Sequence, residues 1–326
     1  VNEREALARV RAVFDTISDP KNLLTPNGDD GAVVDFAGQK VVLATDMAVE
    51  DVHFNLNWSS PRQIGAKIVA ANLADICAMG GWPEYLLVAV SFPKSFLSND
   101  VSDDASNLEE LAIGIRDEAK KVGAKVIGGD LSSGEKVVIS ISAVGVAENI
   151  ISRSMAHPGE FVLISHLPGW SMAGLSSLQN NANQSELVKR AITQHKTPAL
   201  DYQKYREIFA DISAATDISD GLLIDAQNIA SSSNCALHLD VGAIKRVTGY
   251  EELAMLADEL SLNNSEGNAQ SAMDWVLRGG EDHVLLATSP IQLPNFHVIG
   301  RVESGSGVFL DGVLEGDSDT GFQHQW

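Results

Sequence analysis

Cysteine is nearly absent: Cys77 and Cys235 are the only two in 326 residues, and they form no CxxC pair. Neither a disulfide framework nor a thiolate zinc site is supported, and a reducing cytoplasm is the expected compartment. Basic residues are also scarce, with 23 Lys and Arg against 44 Asp and Glu and a formal charge of −21. Such a balance disfavours nucleic acid or an anionic membrane as partner. An anionic phosphate substrate would be repelled as well, so its binding would need cations to mediate. No apolar run approaches the length of about 18 residues that a membrane span needs. The acidic start Val1-Asn2-Glu3-Arg4-Glu5 lacks the basic-then-apolar profile of a signal peptide. A soluble, intracellular protein is expected.

The familiar nucleotide signatures are missing too. The sequence has no GxxxxGK[ST] loop, no HRD or DFG set, no GxGxxG between strand and helix, and no HExxH. Its eight histidines show no ligand spacing. Phosphotransfer chemistry, if present, has to rest on acids and metal ions. No short-period repeat of the solenoid type is found.

What is present is a hydrophobic content of 44%, enough for a sizeable core in two packed domains or one large one. Residues 3–17 read as an amphipathic helix. Short apolar runs at 32–34, 41–44 and 85–92 have strand length. Ser60-Pro61 provides a helix start and Gly80-Gly81 a stop. A further helix is expected over 103–122, then strands at 125–127 and 137–146. The composition turns polar over 148–158 and a new apolar run begins at Phe161, which places a domain boundary near residue 150. Stretches 176–186 and 261–271, rich in Ser, Asn and Gln, read as loops or helix ends.

The informative residues are acids where apolar runs end. Thr45-Asp46 follows Val41–Ala44, Gly128-Gly129-Asp130 follows Val126-Ile127, and Asp217-Ile218-Ser219-Asp220-Gly221 precedes a helix. Ligands gather at strand C-termini in open α/β folds, so these acids mark a candidate site. Aspartate is also common in turns and caps, and Asp220 is placed to cap the helix near Leu222. Asp75 is more telling. At 100° per residue it projects between Ile64 and Ile68, within the apolar stripe of helix 61–79. A carboxylate there must be paired with a cation, bound to metal or protonated. Converging acids would repel one another unless a hard cation sat among them, and oxygen donors favour Mg²⁺ or Ca²⁺ over zinc. Metal ions bridging protein and phosphate would let so acidic a chain bind ATP.

Seven blocks carry a resemblance: Gly28-Asp29-Asp30-Gly31-Ala32, Ala44-Thr45-Asp46, Val49-Glu50-Asp51-Val52-His53-Phe54, Asn72 to Gly80, Gly128-Gly129-Asp130, Asp217 to Leu222, and Gly279-Gly280-Glu281-Asp282. Their order and spacing resemble those of thiamine-monophosphate kinases, over residues 27 to 322. The wider PurM-like superfamily includes aminoimidazole ribonucleotide synthetase, selenophosphate synthetase and the hydrogenase maturation protein HypE. The resemblance implies an α/β (α+β) fold of two PurM-like domains. Residues 1–149 would form the ATP- and metal-binding and dimerisation domain, with a β-barrel-like sheet shared in a homodimer. Residues 150–326 would form the C-terminal α/β domain.

It further implies a cytoplasmic transferase that phosphorylates thiamine monophosphate with ATP and several Mg²⁺ ions, making thiamine diphosphate. Asp30, Thr45, Asp46, Asp75, Asp130, Asp217 and Asp220 would be metal ligands. Gly129, Asp130, Arg153 and Ser219 would contact ATP, and His53, Glu281 and Phe322 the thiamine phosphate. Asp29 would hold its loop in shape. No catalytic base is assigned, because a phosphate monoester with a second pKa of roughly 6 is already mostly ionised at neutral pH.

The sequence departs from the family pattern at four places, losing a hydroxyl ligand at the first and a basic phosphate contact at the second. Ala44 stands where Ser or Thr is usual, Leu131-Ser132-Ser133 where Thr-Thr-Arg is common, His283-Val284 where Tyr-Glu follows, and Gly321-Phe322-Gln323-His324 where Gly-Tyr-Asp-His is typical. The alternatives are another PurM-like ATP-dependent synthetase, or a non-catalytic homologue that binds metal or nucleotide.

Overall fold

The computed structural model describes residues 3–14, 16, 18–26, 28–97, 106–180, 182, 185–263 and 270–315. Helix α1 (Glu3–Phe14) leads into a six-stranded sheet built from β1 (Leu23–Thr25), β2 (Ala32–Phe36), β3 (Gln39–Val49), β4 (Gly81–Phe92), β5 (Lys125–Ser133) and β6 (Val138–Ala147). Its order is β1-β2-β3-β6-β4-β5, antiparallel except for the β4–β5 pair. Helices α2 (Pro61–Ala78) and α3 (Asn107–Lys120) cover its inner face.

The second half contains β7 (Phe161–Ile164), α4 (Trp170–Gln179), α5 (Glu186–Lys196), α6 (Tyr202–Ile208), β8 (Ala214–Asp217) and α7 (Leu222–Ser233). It continues with β9 (Ala236–Leu239), α8 (Val241–Lys245), α9 (Tyr250–Asn263) and α10 (Ala272–Arg278), and ends in β10 (Leu285–Ser289), β11 (His297–Glu303), β12 (Gly307–Leu310) and β13 (Val313–Leu314). These strands form a seven-stranded sheet, β13-β12-β9-β11-β7-β10-β8, in which β12 runs parallel to β9. The fold is thus α/β with two mixed sheets. Neither sheet closes into a barrel among the described residues. No helix among the described residues is long and apolar enough to cross a membrane.

Two expected strands run further than their apolar residues suggest. β3 continues through Asp46 to Val49 because β6 pairs with it along its whole length, from Lys40↔Ala147 to Val49↔Val138. β5 likewise runs through Gly128-Gly129-Asp130, which pair with Leu87, Val88 and Ala89. Asp46 and Asp130 therefore lie within strands, and only Asp217 stands at a strand's end.

Helix α2 positions the site. Ser60 Oγ accepts a hydrogen bond from the Gln63 amide, Gln63 Oε1 in turn accepts one from Ser60 N, and Pro61 fills the first turn. The helix stops where Gly80 turns left-handed at φ +73°. Its buried residues include Ile64, Lys67, Ile68, Val69, Asn72, Leu73 and Ile76, more than one stripe, because it packs against β3, β4, β6, α3 and the second half's β8. Contact with α3 is backbone to backbone. A Cβ at Gly114 would stand 1.9 Å from the Arg62 carbonyl oxygen, and one at Gly65 2.3 Å from that of Leu111.

Gly114→Ala should therefore force the helices apart and destabilise the protein by about 1–3 kcal/mol, the usual cost of overpacking. A lower urea midpoint checks this; an unchanged one would mean the crossing is looser than described.

Candidate active site

Alternation along β3 decides which of its residues reach the cleft. Val42, Ala44 and Ala48 are buried on the inner face and Asp46 shares that face, while Leu43, Thr45 and Met47 point outward. Asp46 thereby faces Asp75 of α2, near enough for each carboxyl group to act on the other. From the second half Asp217 arrives at the end of β8, and Asp30 comes from the loop before β2. Single carboxylate oxygens of Asp30, Asp75 and Asp217 all lie within 4.8 Å of one another.

This charge is poorly compensated. Burial, reinforced by Asp46, Asp217 and Asp30, holds the Asp75 carboxyl well above the ordinary range. Burial and Asp217 raise that of Asp46. Asp30 is pushed up to about 8 by burial, although Arg153 beside it works the other way. Arg153 donates to Asp30 Oδ1 and, at 2.9 and 3.1 Å, to Thr216 Oγ1. His283 Nδ1 lies 2.8 Å from Asp217 Oδ2; burial opposes its charge, but the Asp217 contact raises its pKa. Asp30 Oδ2 is buried without a hydrogen-bond partner. Hard oxygen donors at this spacing, one of them orphaned, fit a divalent cation.

The cleft around the cluster has a volume of about 340 Å³. Ser219 and Asp220 line it beside Asp217. The N-cap of α7 is Gly221, one residue beyond Asp220, and Asp225 takes the amides of Asp220 and Gly221 at 3.2 and 3.1 Å. At the other end, His53 Nδ1 accepts from Val49 N at 3.1 Å, and Glu281 meets Lys67 Nζ at 3.0 Å. Burial opposes ionisation of Glu281, yet Lys67 holds its carboxyl below the usual range. Asp29 fastens the 28–31 loop to the second half, accepting from Ser152 Oγ at 2.7 Å and Arg153 N at 3.0 Å.

Three expected residues do not join the cluster. Thr45 points outward and gives its hydroxyl to the Ile141 carbonyl at 3.0 Å. Gly129 and Asp130 belong to the edge strand β5, three strands from Asp46 along the row Asp46↔Ile141↔Val88↔Gly129. At inter-strand spacings of about 4.8 Å that is roughly 14 Å. They line a separate groove beside α3, of about 910 Å³. Phe322 lies outside the described residues.

Sequence reasoning missed Lys67, His195, Asp225 and Asp282. Lys67 carried the same signal as Asp75, a charge within a buried helix. His195 pairs with Ser171 Oγ at 3.1 Å, and burial and Lys67 lower its pKa to about 4. Asp282 accepts from the amides of Gly169 and Ser171 at 2.6 and 3.0 Å, and burial raises its pKa to about 6.

Comparison with known proteins agrees with this geometry. The AIR synthase related protein N-terminal domain profile matches residues 28–147, and the profile of the C-terminal domain matches 157–312. The class is therefore the two-domain AIR synthase-related, or PurM-like, protein. HypE of E. coli shares the fold, with a TM-score of 0.60 over 97% of this chain and 96% of its own at 17% identity. Thiamine-monophosphate kinase of Aquifex aeolicus is 33% identical over 87% of this chain and 89% of its own length. That of Prochlorococcus marinus is 30% identical over 99% and 96%. A solved structure of AaThiL complexed with AMPPCP and TMP superposes with a TM-score of 0.84, covering 99% of this chain and 97% of the other at 28% identity. Within that class, the chain belongs to the thiamine-monophosphate kinase family.

The carboxyls of Asp30, Asp46 and Asp75 have folded pKa values above their unfolded ones. Their penalty is absent below the unfolded value of about 4 and grows as pH rises towards the value of about 8 at Asp30. The cation-free protein should lose stability over that window, and Mg²⁺ should restore it. Thermal melts are expected to show a larger Mg²⁺-induced rise in Tm at pH 8 than at pH 5; equal rises at both would exclude the cluster as the Mg²⁺ site.

Proposed function

We propose that this protein transfers the γ-phosphoryl group of ATP to thiamine monophosphate by direct in-line displacement, giving thiamine diphosphate and ADP. Family membership supports the reaction, and the carboxylate cluster at one end of a cleft is the observation that carries the mechanism. Asp30, Asp46, Asp75, Asp217 and Asp220 would hold Mg²⁺. When bound, it supplies charge neutralisation between the two phosphate anions. Arg153 and Ser219 contact ATP. Gly129 and Asp130 act on the nucleotide from the edge strand, apart from the carboxylate cluster. His53 and Glu281 take the organic half of the acceptor.

No base is required. The acceptor phosphate is mostly ionised at neutral pH, and the nearby imidazoles are engaged, His283 with Asp217 and His195 with Ser171. The residues' work is to orient two anions and exclude water.

Residues 1–149 serve metal binding and dimerisation and 150–326 complete the cleft, in a cytoplasmic homodimer. The outward face of the first sheet supports pairing: Leu43, Met47 and Leu87 are 36%, 57% and 43% exposed. Apolar patches of this kind mark interaction surfaces. Leu87→Glu is expected to shift the protein from dimer to monomer in light scattering; a wild-type monomer would remove this face as an interface.

Incubation with ATP, Mg²⁺ and thiamine monophosphate should yield thiamine diphosphate and ADP. Inorganic phosphate released in place of a diphosphate ester would point to a synthetase. Asp46→Asn or Asp75→Asn is expected to lower kcat on the order of 100-fold, the scale of removing one charge-stabilising group, with the far-ultraviolet circular dichroism unchanged. Wild-type turnover in both would discard the cluster as catalytic.

A further inference from the structure

Lys67 is a lysine only 9% exposed, on a helix otherwise apolar around it. Its Nζ donates to Glu281 Oε2 at 3.0 Å and to the His53 carbonyl at 3.3 Å. An ammonium has three donors, so one proton is unused by these contacts. On Glu281, the Lys67 contact and the His195 approach at 3.6 Å both fall on Oε2, and Oε1 is used by neither. The cleft thus presents an N–H donor and a carboxylate acceptor side by side, beneath apolar walls from Phe54, Ile64, Ile68 and Met172.

Two features argue that this pair does more than tie the halves together. Glu281 adopts a left-handed backbone at φ +63°, and His283 follows at +54°. Such conformations are costly outside glycine and concentrate where a ligand is held. A purely structural bridge has no need of them, nor of a position lining the cleft.

We propose that Lys67 is a specificity-determining residue, which with Glu281 recognises the aminopyrimidine edge of the acceptor. That edge carries a ring nitrogen acceptor next to an exocyclic amino donor. The ring nitrogen accepts from Lys67 and the amino group donates to Glu281 Oε1. This inference rests on thiamine monophosphate being the acceptor.

The test is steady-state kinetics of the full chain with thiamine monophosphate and its 4′-oxo analogue, in which donor and acceptor are reversed. Loss of a group that binds ground and transition states alike falls on KM. Lys67→Met is expected to raise KM for thiamine monophosphate about 10- to 100-fold, as loss of a hydrogen bond to a charged group does, with KM for ATP unchanged. Its preference for the amino over the oxo compound in kcat/KM should collapse towards unity. Lys67→Gln, which keeps an N–H donor, should retain part of that preference, and it serves as the test variant if Lys67→Met does not fold. Wild-type KM and preference in the folded variant would overturn the role of Lys67 while leaving the kinase reading standing. Failure of the wild-type protein to phosphorylate thiamine monophosphate would overturn both.

Discussion

The site depends on a conflict: Asp30, Asp46, Asp75 and Asp217 converge in a low-dielectric pocket where, among the described residues, Arg153 is the permanent cation that offsets them. Left alone, such a group resolves the conflict by taking up protons, as the raised pKa values of three of its members indicate. A hard cation resolves it differently and leaves the carboxylates ionised. The scaffold has to hold the acids together against their repulsion, and the rest of the fold can be read as meeting that demand. Asp46 is fixed in β3 by its pairing with Ile141 of β6, and Asp75 lies on a helix packed on nearly every side. Asp29 and Arg153 lock the Asp30 loop to the second half, so Asp30 cannot swing away to relieve the repulsion.

Much of this was legible in the sequence. The boundaries of α2 followed from Ser60-Pro61 and Gly80, because caps and breakers are local chemistry. Asp75 was legible because a charge in an apolar stripe needs a reason. What was not legible depended on strand pairing. Val41–Ala44 reads as a complete strand, and only the partner β6 carries it on through Asp46. The same extension turns Thr45 outward and places Asp130 on a distant edge, so contiguity in sequence did not translate into contiguity in space. Asp225 was missed because its partners are backbone amides, which leave no mark in side-chain patterns.

Helix α2 also sets the polarity of the cleft. Lys67 and Asp75 are eight residues apart, about 12 Å along the axis, and both line the same cavity. The Asp75 end gathers carboxylates that suit cations bearing phosphate. The Lys67 end carries Glu281, held ionised by that lysine, with a neutral His195 beside it. A second phosphate at this end would meet the Glu281 carboxylate, whose charge already offsets that of Lys67. A neutral or cationic heterocycle with hydrogen-bonding edges meets no such repulsion. The cleft therefore favours a ligand that is anionic at one end only, as a thiamine phosphate is.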